Sequence, residues 1–242
     1  MIFPELSIPL KWVDSISLTL SKAGISLIAG TEYRHFPGDK VLSEAVLVLS
    51  DNRLGYPAFV RIRQPKLQPA VGEDKNLTTV YGKQWAISGK DINKKKYRKP
   101  VYIHDGFHFG LMICSELLNS KARIDFQGEV DALMTLSWNR DLDTFSSLIE
   151  SSALDVHCYK ILVNNRKYGD SRIHAPAKKT YLREIARLRG GDNNYVVTAT
   201  LDINMLREFQ SKAKRWTEDN DNFKPVPEGF KLYRTRKTVL PK

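Results

Sequence analysis

A chain of 242 residues with 42% hydrophobic content can bury one sizeable core, and its longest apolar runs, 25–29 and 45–49, fall far short of the roughly 20 residues that span a bilayer. Two cysteines exclude a disulfide framework and fit a reducing, cytoplasmic setting, and the sequence opens without the basic region, apolar run and cleavage site of a secretory signal. The net charge of +11 favours an anionic partner, nucleic acid included, although the densest basic run, residues 94–99, has the composition of a solvated loop.

In chain order, residues 2–9 place a carboxylate, Glu5, after an apolar pair and a proline at what reads as the end of a strand. Residues 14–23 have helical spacing, and strands follow at 25–31, 45–50 and 59–62. A loop at 64–73 holds Lys66 and Glu73 among turn residues, and 90–100 is a polar, lysine-rich insertion. Strands recur at 107–113, 132–136 and 161–163 around a helix at 143–158, whose apolar stripe is Phe145, Leu148, Ile149, Ala153 and Val156 and whose start Asp143 and Thr144 can cap. A strand at 195–201 leads into a helix at 203–214 with Leu206, Phe209 and Ala213 on one side. Alternating strands and helices predict an α/β layered domain over residues 1–215, with a C-terminal extension, 216–242, running over its surface.

The chemistry concentrates at Cys114, where the apolar run 107–113 ends and a helix is expected to follow. At such an elbow the first N–H groups of the helix favour a thiolate and can hold a developing oxyanion. A free cysteine ending a strand is equally a small buried apolar residue, and Cys158, inside the amphipathic helix, reads that way. His104 and His108 flank Asp105 without the ligand spacing of a metal site, and no glycine cluster has the spacing of a nucleotide-binding fingerprint, so neither metal nor cofactor is implied.

The segments Pro4-Glu5-Leu6-Ser7-Ile8-Pro9, the lysine loop from Gln64 through Lys66 to Gly72-Glu73, and Ile113-Cys114-Ser115-Glu116 together resemble the nitrilase, or carbon–nitrogen hydrolase, superfamily, in the flavour of its apolipoprotein N-acyltransferase-like branch. The resemblance continues through Leu136-Ser137-Trp138-Asn139, the loop from Asn164 to Ile173 and the run Val196 to Asp202. It departs in two places. Lys66 directly precedes Leu67, with Gln64 at the more usual lysine position, and the strand, helix and strand that normally precede the first glutamate are missing ahead of Glu5.

The resemblance implies a nitrilase-like α-β-β-α sandwich, truncated at its start or completed by a fused upstream part, and a Glu–Lys–Cys triad of Glu5, Lys66 and Cys114. Glu5 would take the thiol proton, Cys114 would attack an amide or nitrile carbon to form a thioester, and Lys66 would hold the oxyanion. Glu73 and Glu116 would support the site, and Trp138 and Asn139 would line the substrate pocket. Two other readings stand beside this one: a degenerate nitrilase-like domain that binds without turnover, and a nucleic-acid-associated module such as the reverse-transcriptase fusions of phage defence. Self-association, as in many relatives, is a further expectation of the resemblance.

Overall fold

The computed structural model describes residues 1–53, 55–87, 99–212, 216 and 218–237. The chain divides into two compact units, one of Met1–Arg98, Ile113–Glu116 and Leu136–Trp138, the other of Lys99–Met112, Leu117–Thr135 and Asn139–Lys242. The lysine-rich insertion lies outside the described residues except for Lys99 and Pro100. No helix among the described residues is long and apolar enough to cross a membrane.

The first unit runs β1 (Ile2–Ile8), α1 (Val13–Lys22), β2 (Leu27–Thr31), β3 (Arg34–Phe36), β4 (Lys40–Leu42), β5 (Glu44–Asp51), β6 (Ala58–Pro65), α2 (Glu73–Tyr81) and β7 (Gln84–Trp85). Its main sheet has the order β1-β2-β5-β6, with β1 parallel to β2 and the other pairs antiparallel. The apolar run in β5 is buried on both faces, which is why it lacks the alternation of a half-exposed strand. Val13, with Ile16 and Leu20 one helical turn apart, packs α1 on Ile8, Leu27, Ala29, Val46 and Val48. Ser17 and Ser21 are buried on the same helix, and their hydroxyls return to the carbonyls of Val13 and Leu18. A small second sheet has the order β3-β4-β7.

The second unit contains β8 (Val101–His104), most of β9 (Phe107–Ile113), α3 (Ser120–Ile124), most of β10 (Ala132–Ser137), α4 (Leu142–Asp155), β11 (Tyr159–Asn164), β12 (Ser171–His174), β13 (Glu184–Leu188) and α5 (Ile203–Ser211), with the strands in one six-stranded sheet ordered β13-β12-β11-β10-β9-β8. In α4, Phe145, Ile149 and Ala153 are buried as the periodicity predicts, but Asp141 caps the helix, its carboxylate accepting from the Thr144 amide. The expected cap at Asp143 and Thr144 is therefore two residues early in the helix. The expected strand at 195–201 has no regular structure, and Tyr195, Val196 and Val197 are exposed. Strand propensity expresses how well a side chain fits a paired, half-buried surface, and this run has no neighbouring strand to pair with.

Asp131, immediately before β10, is the polar centre of the second unit. It is fully buried and accepts from the His108 amide at 2.8 Å, from Arg207 Nε at 2.7 Å and from Arg236 Nη2 at 2.9 Å. Burial alone would raise its pKa, yet the two guanidinium groups hold the carboxyl below its usual range. Arg236 comes from the C-terminal extension and also donates to the carbonyl of Gly128 and to Gln210 Oε1, both at 2.8 Å. Gly128 has a positive φ, and a Cβ there would stand 1.9 Å from the Lys231 carbonyl oxygen, so glycine lets the extension close on this turn. The extension thus carries Phe223 and Arg236 into the interior of this unit.

Lys160 on β11 is fully buried, and its ammonium donates to Thr135 Oγ1 at 2.6 Å. Burial pushes its pKa down to about 7 from the ordinary 10.5, against a small opposing effect of Cys158. The unfolded chain therefore holds a proton that the folded chain loses between those two values, so this residue's penalty on stability fades as pH rises through that window. Replacing Lys160 with Met removes the penalty but leaves the Thr135 hydroxyl without its donor. The variant is expected to be more stable than the parent by about 2–4 kcal/mol near neutral pH and to lose most of that advantage in alkaline buffer, measured by urea unfolding at the two conditions.

Candidate active site

Four segments of the first unit bring the acidic, basic and thiol groups together. On β1 the pairing with β2 is irregular between Phe3 and Ile8, and Leu6 adopts a positive φ of 54°. This break holds Glu5 inside, only 2% exposed. The backbones of β1 and β2 meet so closely here that a Cβ on Gly30 would lie 2.3 Å from Glu5 Cα and 2.4 Å from the Pro4 carbonyl oxygen. Lys66 follows the last residue of β6; its amide donates to the Ser43 carbonyl, and its side chain is buried. Glu73 opens α2. Cys114 ends β9 with a positive φ of 48°, a conformation that costs a non-glycine residue of order 1–3 kcal/mol and is held by the surrounding structure.

Lys66 Nζ donates to Glu5 Oε1 at 3.0 Å and to Glu73 Oε2 at 2.7 Å, so one buried ammonium joins two carboxylates. Glu5 also accepts from Ser43 Oγ at 3.3 Å, from the Trp138 amide at 3.2 Å and from the Cys114 thiol. The Cys114 sulfur in turn accepts from Ser137 Oγ at 3.6 Å. Burial, with the Glu5 charge, pushes the thiol up to about 12, opposed by Lys66. Burial likewise raises the Glu5 carboxyl above its ordinary value although Lys66 pulls it down. Burial presses the Lys66 ammonium toward neutrality, but the two carboxylates outweigh it and keep its pKa above the normal lysine range. The resting cysteine is a thiol with a hydrogen-bonded carboxylate as its proton acceptor and a fixed cation nearby, an arrangement suited to making a thiolate on demand.

Glu5, Lys66 and Cys114 therefore meet, and Glu73 joins them through Lys66. Lys66 reaches both carboxylates from its place directly before Leu67, while Gln64 is buried one strand position earlier on the same face of β6. Glu116 acts through the backbone: its carboxylate accepts from Leu67 N at 3.0 Å and Ile113 N at 2.8 Å, tying the lysine loop to the nucleophile strand. The helix expected after Cys114 is instead a 3-10 turn, Cys114–Leu118, and the helix proper starts at Ser120 behind its cap Asn119. The thiol therefore lacks the helix-end dipole that the sequence suggested. Trp138 contributes its amide to Glu5 while its side chain is 45% exposed. Asn139 belongs to the second unit, where its amide nitrogen donates to Asn164 Oδ1 and its side chain to the Asp141 carbonyl.

Three contributors went unnoticed in the sequence: Tyr33, Ser43 and Ser137. Only Ser137 lies in a segment with a recognisable motif; the other two reach the site from the ends of ordinary strands. No group of three or more His, Cys, Asp or Glu among the described residues is placed to hold a metal ion.

The contact at Gly30 gives a direct test. Gly30→Ala forces a methyl group into the backbone of Glu5, and the strands must separate to admit it. The variant is expected to lose about 1–3 kcal/mol in urea unfolding and to label more slowly at Cys114 with iodoacetamide, because Glu5 moves with its strand.

No family model matches the sequence, and no curated protein matches it. Solved structures do. A CN-hydrolase superfamily protein of Xanthomonas campestris, described with an arsenic adduct in its active site, aligns with a TM-score of 0.60 at 13% identity over 87% of this chain and 80% of its own. Nit3 of Saccharomyces cerevisiae, a member of the nitrilase superfamily, aligns with a TM-score of 0.57 at 16% identity over 79% and 73%. An amidase from Nesterenkonia sp. aligns with a TM-score of 0.54 at 14% identity over 78% and 73%. The chain therefore has the mixed α/β fold of the nitrilase, or CN-hydrolase, superfamily.

Proposed function

We propose that this protein is a carbon–nitrogen hydrolase that opens an amide or nitrile through a thioester on Cys114. The observation that carries the reading is the buried Glu5–Lys66–Glu73 cluster with the Cys114 thiol hydrogen-bonded to Glu5. The structural neighbours are consistent with it, since they include amidases and other nitrilase superfamily proteins.

For an amide, Glu5 takes the thiol proton as the sulfur attacks the carbonyl carbon, and the carbonyl π pair moves onto oxygen. Lys66 is the cation beside the developing oxyanion. The tetrahedral intermediate collapses to a thioester as the C–N bond breaks, and protonated Glu5 returns its proton to the departing amine. Water then gives a proton to Glu5 and its oxygen to the acyl carbon, and the C–S bond breaks to regenerate the thiol and release the acid. The raised Glu5 carboxyl suits both directions of transfer, because its pKa lies nearer the working pH than an ordinary carboxylate's. An intact cluster argues against the binding-only reading, in which nothing requires these groups to meet.

Acrylamide is described as adding to the active-site cysteine of the Nesterenkonia amidase and is a suitable probe here. Intact-mass analysis with acrylamide and with simple amides is expected to find one adduct, lost in Cys114→Ser and retained in Cys158→Ser. Equal, slow labelling of both cysteines would sink the proposal. Glu5→Gln should slow labelling about 100-fold. In the parent, the rate should fall with acidification through a pKa above the usual carboxylate range, because the base form of Glu5 is lost there.

A further inference from the structure

Glu73 has its acceptor positions taken up in an orderly way. Oε2 receives Lys66 Nζ at 2.7 Å and the Ala70 amide at 2.7 Å, and Oε1 receives the Tyr33 hydroxyl at 2.6 Å. Tyr33 sits between β2 and β3, and the edge-on contact of its ring with Trp85 has a centroid separation of 6.5 Å and an interplanar angle of 86°. Trp85 is on β7 in the small sheet, and Lys66 Nζ lies 6.0 Å from the centroid of its ring. The indole N–H of Trp85 is buried without a hydrogen-bond partner, so this ring is placed for its packing and its face. The small sheet therefore presents one hydroxyl to the carboxylate and one aromatic face toward the ammonium.

We propose that Tyr33 is a positioning residue: by holding Oε1 of Glu73 it keeps Oε2 on Lys66, and so keeps the ammonium centred between Glu73 and Glu5. A carboxylate held at both oxygens cannot swing about its terminal torsion, whereas one held at a single oxygen can. Without the phenol, Glu73 is free to turn from Lys66, and the ammonium then moves toward Glu5, the remaining carboxylate. That shift strengthens the Lys66–Glu5 pair and takes both the oxyanion cation and the base out of register. The inference rests on the reading of this site as a cysteine-dependent hydrolase, and it assigns Tyr33 a role that acts through Glu73 without touching the reacting atoms.

Tyr33→Phe keeps the ring against Trp85 and deletes the hydroxyl alone. Two reactions of Cys114 separate the consequences. Acylation by p-nitrophenyl acetate builds an oxyanion and is read as a burst of p-nitrophenolate, whereas alkylation by iodoacetamide builds none. The expected result for Tyr33→Phe is a burst slowed about 10-fold, with alkylation changed less than about 3-fold. An unchanged burst, or an equal fall in both reactions, overturns the proposal. A parent protein with neither a burst nor labelling that depends on Cys114 refutes the hydrolase reading itself, and the clamp is then judged by ultraviolet titration of the tyrosines. One phenol, identified by its absence in Tyr33→Phe, should ionise at higher pH than an ordinary tyrosine, through burial and its bond to Glu73, and Glu73→Gln should bring it down. No such movement in Glu73→Gln overturns the clamp.

Discussion

A lysine ammonium with its side chain 1% exposed has no water to solvate it, and the first unit is arranged around satisfying that charge. Two carboxylates from distant parts of the chain reach it, one at 3.0 Å and one at 2.7 Å. Either carboxylate alone would neutralise the ammonium, and the second leaves the cluster with an excess of negative charge. The adjacent Cys114 is therefore held as a thiol, and Glu5 is drawn toward protonation, until a substrate offers an electrophile. Reactivity is thus conditional on the occupant of the site, which protects a buried nucleophile from casual oxidation or alkylation.

Holding this charge arrangement requires backbone geometry that ordinary strands do not supply. Glu5 is placed by an irregular pairing and by a glycine that admits the backbone of β1, and Cys114 by a positive φ. Glu116 spends its carboxylate on two amides, Leu67 and Ile113, which fastens the backbone next to the lysine to the backbone next to the cysteine. These are costly local conformations, and the buried strands β2 and β5 provide the rigid support that makes them sustainable.

The second unit solves a related problem without catalytic consequence. Asp131 is as buried as Lys66, and two arginines, one from α5 and one from the C-terminal extension, match its charge and fill its acceptor positions. Lys160 is the contrasting case: a lone buried amine facing a hydroxyl gives up its proton near neutrality, because no carboxylate is there to hold it. Comparing Lys66 with Lys160 separates the effect of burial from the effect of a charged partner within one protein.

Local patterns in the sequence determined the strands around 45–49 and 107–113, the amphipathic stripe of Phe145, Ile149 and Ala153, and the order of Glu5, Lys66 and Cys114, because periodicity and short motifs are properties of neighbouring residues. The cap at Asp141, the 3-10 turn after Cys114 and the unpaired run at 195–201 depend on hydrogen-bond partners chosen by the fold, and local propensity misplaced each of them. Tyr33, Ser43 and Ser137 carry no signature, since a hydroxyl becomes part of a site only when strands distant in sequence bring it within about 3 Å of a charge. The sequence by itself named the reacting groups. Only the tertiary structure decided which lysine contacts are made, how far burial shifts each proton, and which neutral side chains hold the charges in place, because solvation and distance exist only after the chain has folded.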